Sequence, residues 1–165
     1  MVADLADAVD HAHRHNILHR DLKPGNVLLA PDESANSEFP FRAKLADFGL
    51  AKLMEEQDAG EQATRTGAFL GTPAYMSPEQ ANGRTRAIGT HSDVYALGVT
   101  LYELLTRRPP FLGGSDVETL RRIVERDPTR LSVTRKSISR DLEAICLKCL
   151  EKNPAKRYSS ASELA

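Results

Sequence analysis

Apolar positions recur at helical spacing over most of the chain. In the first segment Val2, Leu5, Val9 and Ala12 line one face while Asp4, Asp7 and Asp10 line another, which predicts an amphipathic helix. No capping residue stands before it, since it opens at Met1. The rhythm then changes. Val27-Leu28-Leu29 is a short apolar run, a polar stretch follows from Pro31 to Pro40, and Lys44-Leu45-Ala46 is a second run, so two short strands joined by a loop are predicted. Residues 47–79 hold no sustained period and are rich in Gly, Thr and charge. That predicts a long loop, of the length that in compact domains is functional or disordered.

Helical spacing returns beyond it. Val94, Leu97, Leu101, Leu104 and Leu105 form a wide apolar stripe, with Thr90 and Asp93 placed for a variant capping box and Arg107-Arg108-Pro109-Pro110 as the stop. Ser115-x-x-Glu118 predicts a capping box for the next helix, whose Val117, Leu120, Ile123 and Val124 face inward. A further helix carries Leu142, Ile145, Cys146, Cys149 and Leu150 and ends at Asn153-Pro154; Ser159 opens one more. The expected class is mainly α, with a small β-hairpin and no internal repeat.

Composition narrows this little. The 165 residues suffice for one domain with a real core, and 41% hydrophobic with 27% charged residues is ordinary for a globular protein. A net charge of −1 supplies no field for nucleic acid or an anionic membrane. Glu103 interrupts the longest apolar run, Val94 to Leu105, so no membrane segment is expected. The acidic start lacks the pattern of a secretory signal, and a cytoplasmic location is the expectation. Cys146 and Cys149 have no second pair to complete a zinc site, and their place on the apolar stripe predicts core packing. His11 and His15 share a helix face without a third ligand, as at a solvated helix end.

The chemistry gathers at His19-Arg20-Asp21-Leu22-Lys23-Pro24-Gly25-Asn26. Alone this octet reads as a turn, because Asp, Asn, Pro and Gly favour turns. Its company changes the reading. An Asp five residues before an Asn, then two strands, then Asp47-Phe48-Gly49, predicts three oxygen groups near one point. Carboxylate and amide oxygens suit a hard cation such as Mg²⁺. A carboxylate free of metal could orient a hydroxyl, and phosphoryl transfer needs that set.

These motifs resemble those of the eukaryotic-type serine/threonine protein kinases. The octet resembles the catalytic loop and Asp47-Phe48-Gly49 the metal-binding motif. Gly71-Thr72-Pro73-Ala74-Tyr75-Met76-Ser77-Pro78-Glu79 resembles the end of the activation segment, with Ser77 where the family more often has Ala. Asp93 to Gly98 is similar to the central helix, Arg107 to Phe111 to the turn after it, and Asn153-Pro154 with Arg157 to the closing motif. The likeness runs in order over the whole chain, in a style closer to the bacterial branch.

The resemblance implies roles. Asp21 would orient the substrate hydroxyl, Lys23 would contact the transferring phosphate, and Asn26 and Asp47 would hold magnesium. Thr72 would help seat a protein substrate, and Leu28 would pack under the adenine of ATP. Arg20 would meet an activation loop phosphorylated at Thr64 or Thr66. His19 and Phe48 would stack beneath the site, Asp93 would bind the catalytic-loop backbone, and Glu79 and Arg157 would form a buried ion pair.

One family element is missing. The glycine-rich loop and its Lys-bearing strand should lie well before the octet, yet only eighteen residues precede His19 and no G-x-G occurs. The expectation is therefore a partial kinase domain over 1–165, the larger lobe alone, whose partner is a missing N-lobe or upstream segment. An inactive fragment serving as an interaction module is the alternative. A small-molecule kinase is disfavoured by the peptide-docking stretch Gly71 to Glu79.

Overall fold

The structure is a computed structural model that describes residues 1–32, 40–48 and 73–165. Helix α1, Val2–Arg14, leads into a 3-10 turn at Pro24–Asn26 and the antiparallel strands β1, Val27–Pro31, and β2, Phe41–Leu45. After a 3-10 turn at Pro73–Tyr75 come α2, Pro78–Ala81, and α3, Thr90–Thr106. Helices α4, Asp116–Glu125, α5, Leu131–Thr134, and α6, Arg140–Cys149, complete the set, followed by a 3-10 turn at Pro154–Lys156. The protein is thus mostly helical with one small two-stranded sheet among its described residues.

Everything is arranged around α3. It is buried without interruption from Ser92 to Tyr102, as a helix apolar on nearly all sides must be. Helices α1 and α6 pack on it. Leu5, Val9, Val94 and Leu97 build one cluster with the sheet's Ala43, and Tyr95, Val99, Ile123, Leu131 and Cys146 a second. Gly98 lets α3 and α6 approach closely, because a Cβ there would collide with Cys149. Both cysteines are free and fully buried, and Cys146 Sγ donates to the Gly98 carbonyl at 3.5 Å. Burial pushes both thiols up, Cys149 to about 12, so they are core atoms and not nucleophiles.

Several sequence expectations need correction. Gly89, not Thr90, caps α3, with its N–H donating to Ser92 Oγ, because Asp93 is engaged elsewhere. Ser115 does cap α4, but Glu118 reaches the N–H of Gly114 instead of Ser115. Val117 is 72% exposed, since only Thr119, Leu120 and Ile123 of α4 turn inward. Leu104 is also exposed, as α3 leaves the core in its last turn before Arg107 closes it in a left-handed conformation, φ 64°. Ser159 opens no helix; its N–H donates to Glu163 and the chain runs on in turns. Asp10, assigned to the polar face of α1, is buried against Arg14 and the Ser162 N–H. Of the expected long loop over 47–79, residues 49–72 lie outside the described residues, while its end holds the 3-10 turn at Pro73–Tyr75 and the first residues of α2; no apolar period marks α5 in the sequence.

Candidate active site

The octet is an irregular segment between α1 and β1, and Asp93 holds its backbone. One carboxylate oxygen, Oδ2, accepts the N–H of His19 at 2.9 Å; the other, Oδ1, accepts that of Arg20 at 2.8 Å. Asp93 is 1% exposed, and an anion so buried must be met by donors. Arg20 adopts φ 65°, a left-handed conformation costing a side-chain-bearing residue about 1–3 kcal/mol. The strain sits immediately before Asp21.

Asp21 Oδ2 accepts from Lys23 Nζ at 2.8 Å and from Asn26 Nδ2 at 3.3 Å. Asn26 Nδ2 also donates to the Asp21 carbonyl at 2.8 Å, folding the octet back on itself. Asp21 and Lys23 stay partly exposed, with side-chain accessibilities of 31% and 25%. Strand pairing then supplies the third oxygen group. Val27 sits opposite Leu45, and the Ala46 N–H donates to the Asn26 carbonyl at 2.9 Å, so Asp47 emerges beside Asn26. Asp47 is itself left-handed, φ 56°, and exposed. The His19 ring links the two segments, its Nε2 3.2 Å from the Ala46 carbonyl and its face tilted on Phe48 at 4.8 Å.

The structure thus brings together Asp21, Lys23, Asn26 and Asp47, with His19, Phe48 and Asp93 around them. Leu28 lies on β1 with 57% exposure. Glu79 and Arg157 meet through two hydrogen bonds of 2.8 Å. Thr64, Thr66 and Thr72 lie outside the described residues, as does Gly49. No helix among the described residues is long and apolar enough to cross a membrane.

Sequence reasoning passed over two residues. His13 Nε2 lies 2.7 Å from Asp93 Oδ2, with both side chains nearly buried, and because a carboxylate only accepts, that nitrogen carries the proton. The signal was present: His13 stands four residues after Val9, on the buried stripe of α1, whereas His11 and His15 stack in solvent on the other side. Gln80 also reaches the octet, as its Nε2 donates to the Arg20 carbonyl at 3.0 Å. Nothing in the local sequence pattern marks that contact.

The protein kinase domain family matches residues 1–165. The chain is 40% identical to the serine/threonine-protein kinase PknB of Mycolicibacterium smegmatis and to that of Mycobacterium tuberculosis, over 99% of its own length and 24% of each relative. It is 41% identical to the serine/threonine-protein kinase PkaA of Streptomyces coelicolor, over 97% of its length and 27% of that protein. It therefore spans about a quarter of these curated relatives. The family match over residues 1–165 and 40% identity over nearly the whole chain lead to one conclusion: the chain belongs to the protein kinase domain family, among the bacterial-type serine/threonine kinases.

Proposed function

We propose that these residues are the catalytic half of an enzyme that moves the terminal phosphoryl group of Mg-ATP to a Ser or Thr hydroxyl of a protein. The observation that carries it is the juxtaposition of Asp21, Lys23, Asn26 and Asp47 on one edge of the hairpin. The donor set fits the cation: Asn26 spends its Nδ2 on Asp21, so its Oδ1 and the exposed Asp47 carboxylate would be the oxygens that hold the metal. Two protein oxygens are few for a caged ion but suit Mg²⁺, which binds by one or two protein ligands together with substrate phosphates. When bound, the metal neutralises phosphate charge. The chain's own part is placement. Lys23 holds Asp21 Oδ2, so the remaining oxygen of Asp21 is presented to a hydroxyl and can accept its proton. Lys23 is positioned to pass its charge to the phosphoryl oxygens as they arrive, and Leu28 offers an apolar face for the adenine.

Transfer on this reading needs a second lobe carrying a glycine-rich loop, and the 165 residues alone are the larger lobe. Thr72 would help seat the substrate, and phosphorylation at Thr64 or Thr66 would order the segment around the site. Two free thiols suit a reducing compartment, the cytoplasm. The test is product identity. A two-lobe protein containing these residues, given labelled Mg-ATP and a generic protein, should yield phosphoserine and phosphothreonine on hydrolysis. Labelled phosphotyrosine alone, or label only in small molecules, would overturn the reading.

A further inference from the structure

The left-handed Arg20 peptide is gripped from two sides, and Asp93 supplies only one of them. Asp93 Oδ1 takes the Arg20 N–H, while Gln80 Nε2 donates to the Arg20 carbonyl at 3.0 Å. That carbonyl carbon is bonded to the nitrogen of Asp21, so its direction sets the direction in which Asp21 leaves the chain.

The other end of the same amide is equally committed. Gln80 Oε1 accepts the Ser77 N–H at 2.9 Å and the Ser77 hydroxyl at 3.1 Å, while the Gln80 N–H donates to Ser77 Oγ at 3.4 Å. Because a backbone N–H only donates and a carbonyl only accepts, the amide has one consistent orientation, oxygen to Ser77 and nitrogen to Arg20. Capping α2 requires only the oxygen. The nitrogen's reach of sixty residues in sequence lies outside that task.

We propose that Gln80 is a positioning residue for Asp21, a rigid link through which the chain around Pro73 to Ser77 sets the aim of the hydroxyl-orienting carboxylate. This rests on the phosphoryl-transfer reading above. Any shift of Ser77 moves the Gln80 amide, and with it the Arg20 carbonyl and Asp21. The link is short and polar at every joint, so it transmits displacement without repacking the core.

Gln80→Glu and Gln80→Leu separate this role from simple capping. Glu keeps an acceptor for Ser77 but turns an oxygen against the Arg20 carbonyl; Leu loses both contacts. In a two-lobe protein, both variants should lower kcat roughly three- to tenfold, the worth of one neutral hydrogen bond, with KM unchanged. Gln80→Glu should be at least as impaired as Gln80→Leu. A Gln80→Glu protein with parental kcat beside an impaired Gln80→Leu would show a cap and nothing more, and would overturn the proposal. Nitrogen NMR on the 165-residue chain gives a readout free of activity: the Asp21 amide should shift in both variants. If the two-lobe parent transfers no phosphate, the functional reading falls and this shift alone decides; an unmoved Asp21 amide overturns the link.

Discussion

Arg157 grips the carboxylate of Glu79 with two parallel hydrogen bonds of 2.8 Å, and neither side chain is more than 4% exposed. Ser92 Oγ adds a third donor to Glu79 at 2.7 Å. The guanidinium is saturated as well, donating to the carbonyls of Glu151, His91 and Lys152. One pair thus ties α2 to the start of α3 and to the segment after α6.

Removing one partner leaves a buried charge unmatched, which typically costs about 3–5 kcal/mol. Arg157→Ala should therefore lower the thermal midpoint sharply, and a midpoint equal to the parent's would refute the pairing as a stabiliser. Acid gives the same answer. Burial alone would raise the Glu79 pKa, but the hydrogen bonds and charge of Arg157, with Ser92, outweigh it and hold the carboxyl below its ordinary value. The pair's contribution is then complete above the unfolded Glu pKa of about 4.3 and is lost as pH falls through the lower folded value. Acid titration of stability should show that loss in the parent, and a smaller one in Arg157→Ala.

His13 should matter to the same degree as a charged hydrogen bond. His13→Leu deprives the buried Asp93 carboxylate of one of its three donors among the described residues and should cost about 1–3 kcal/mol in denaturant unfolding. His13→Gln can return an N–H and should recover part of that. Equal stability of His13→Leu and the parent would mean that the two backbone N–H groups suffice.

What the sequence disclosed and what it withheld follow from range. Apolar patterning located α1, α3, α4, α6 and the hairpin because it is a property of near neighbours in the chain. It misjudged Val117, because the inward arc of α4 is narrower than its apolar content. It misjudged Asp10, which is hidden by Ser162 from the far end of the chain. The octet and Asp47 were recognisable as a motif, but their adjacency came from strand register. His13 on Asp93 and Gln80 on Arg20 bridge eighty and sixty residues, and no local pattern encodes such distances.

Phosphorylation of Thr64 or Thr66 should switch the two-lobe protein on. Each lies between Asp47 and Gly71 beside Arg65, in a polar stretch, and a phosphate adds about −1.5 to −2 charge that can order a segment against arginine. Phosphatase treatment should lower activity, and the double Thr64→Ala, Thr66→Ala protein should stay low throughout. Full activity in the dephosphorylated protein would rule the switch out.

In the proposed function Asp21 receives the hydroxyl proton during phosphoryl transfer. The direct measurement is kcat and KM of Asp21→Asn beside the parent in the two-lobe protein. A positioned general base contributes about 10²–10⁴-fold, so kcat should fall by that factor while KM for ATP holds. Parental kcat in Asp21→Asn would contradict the account.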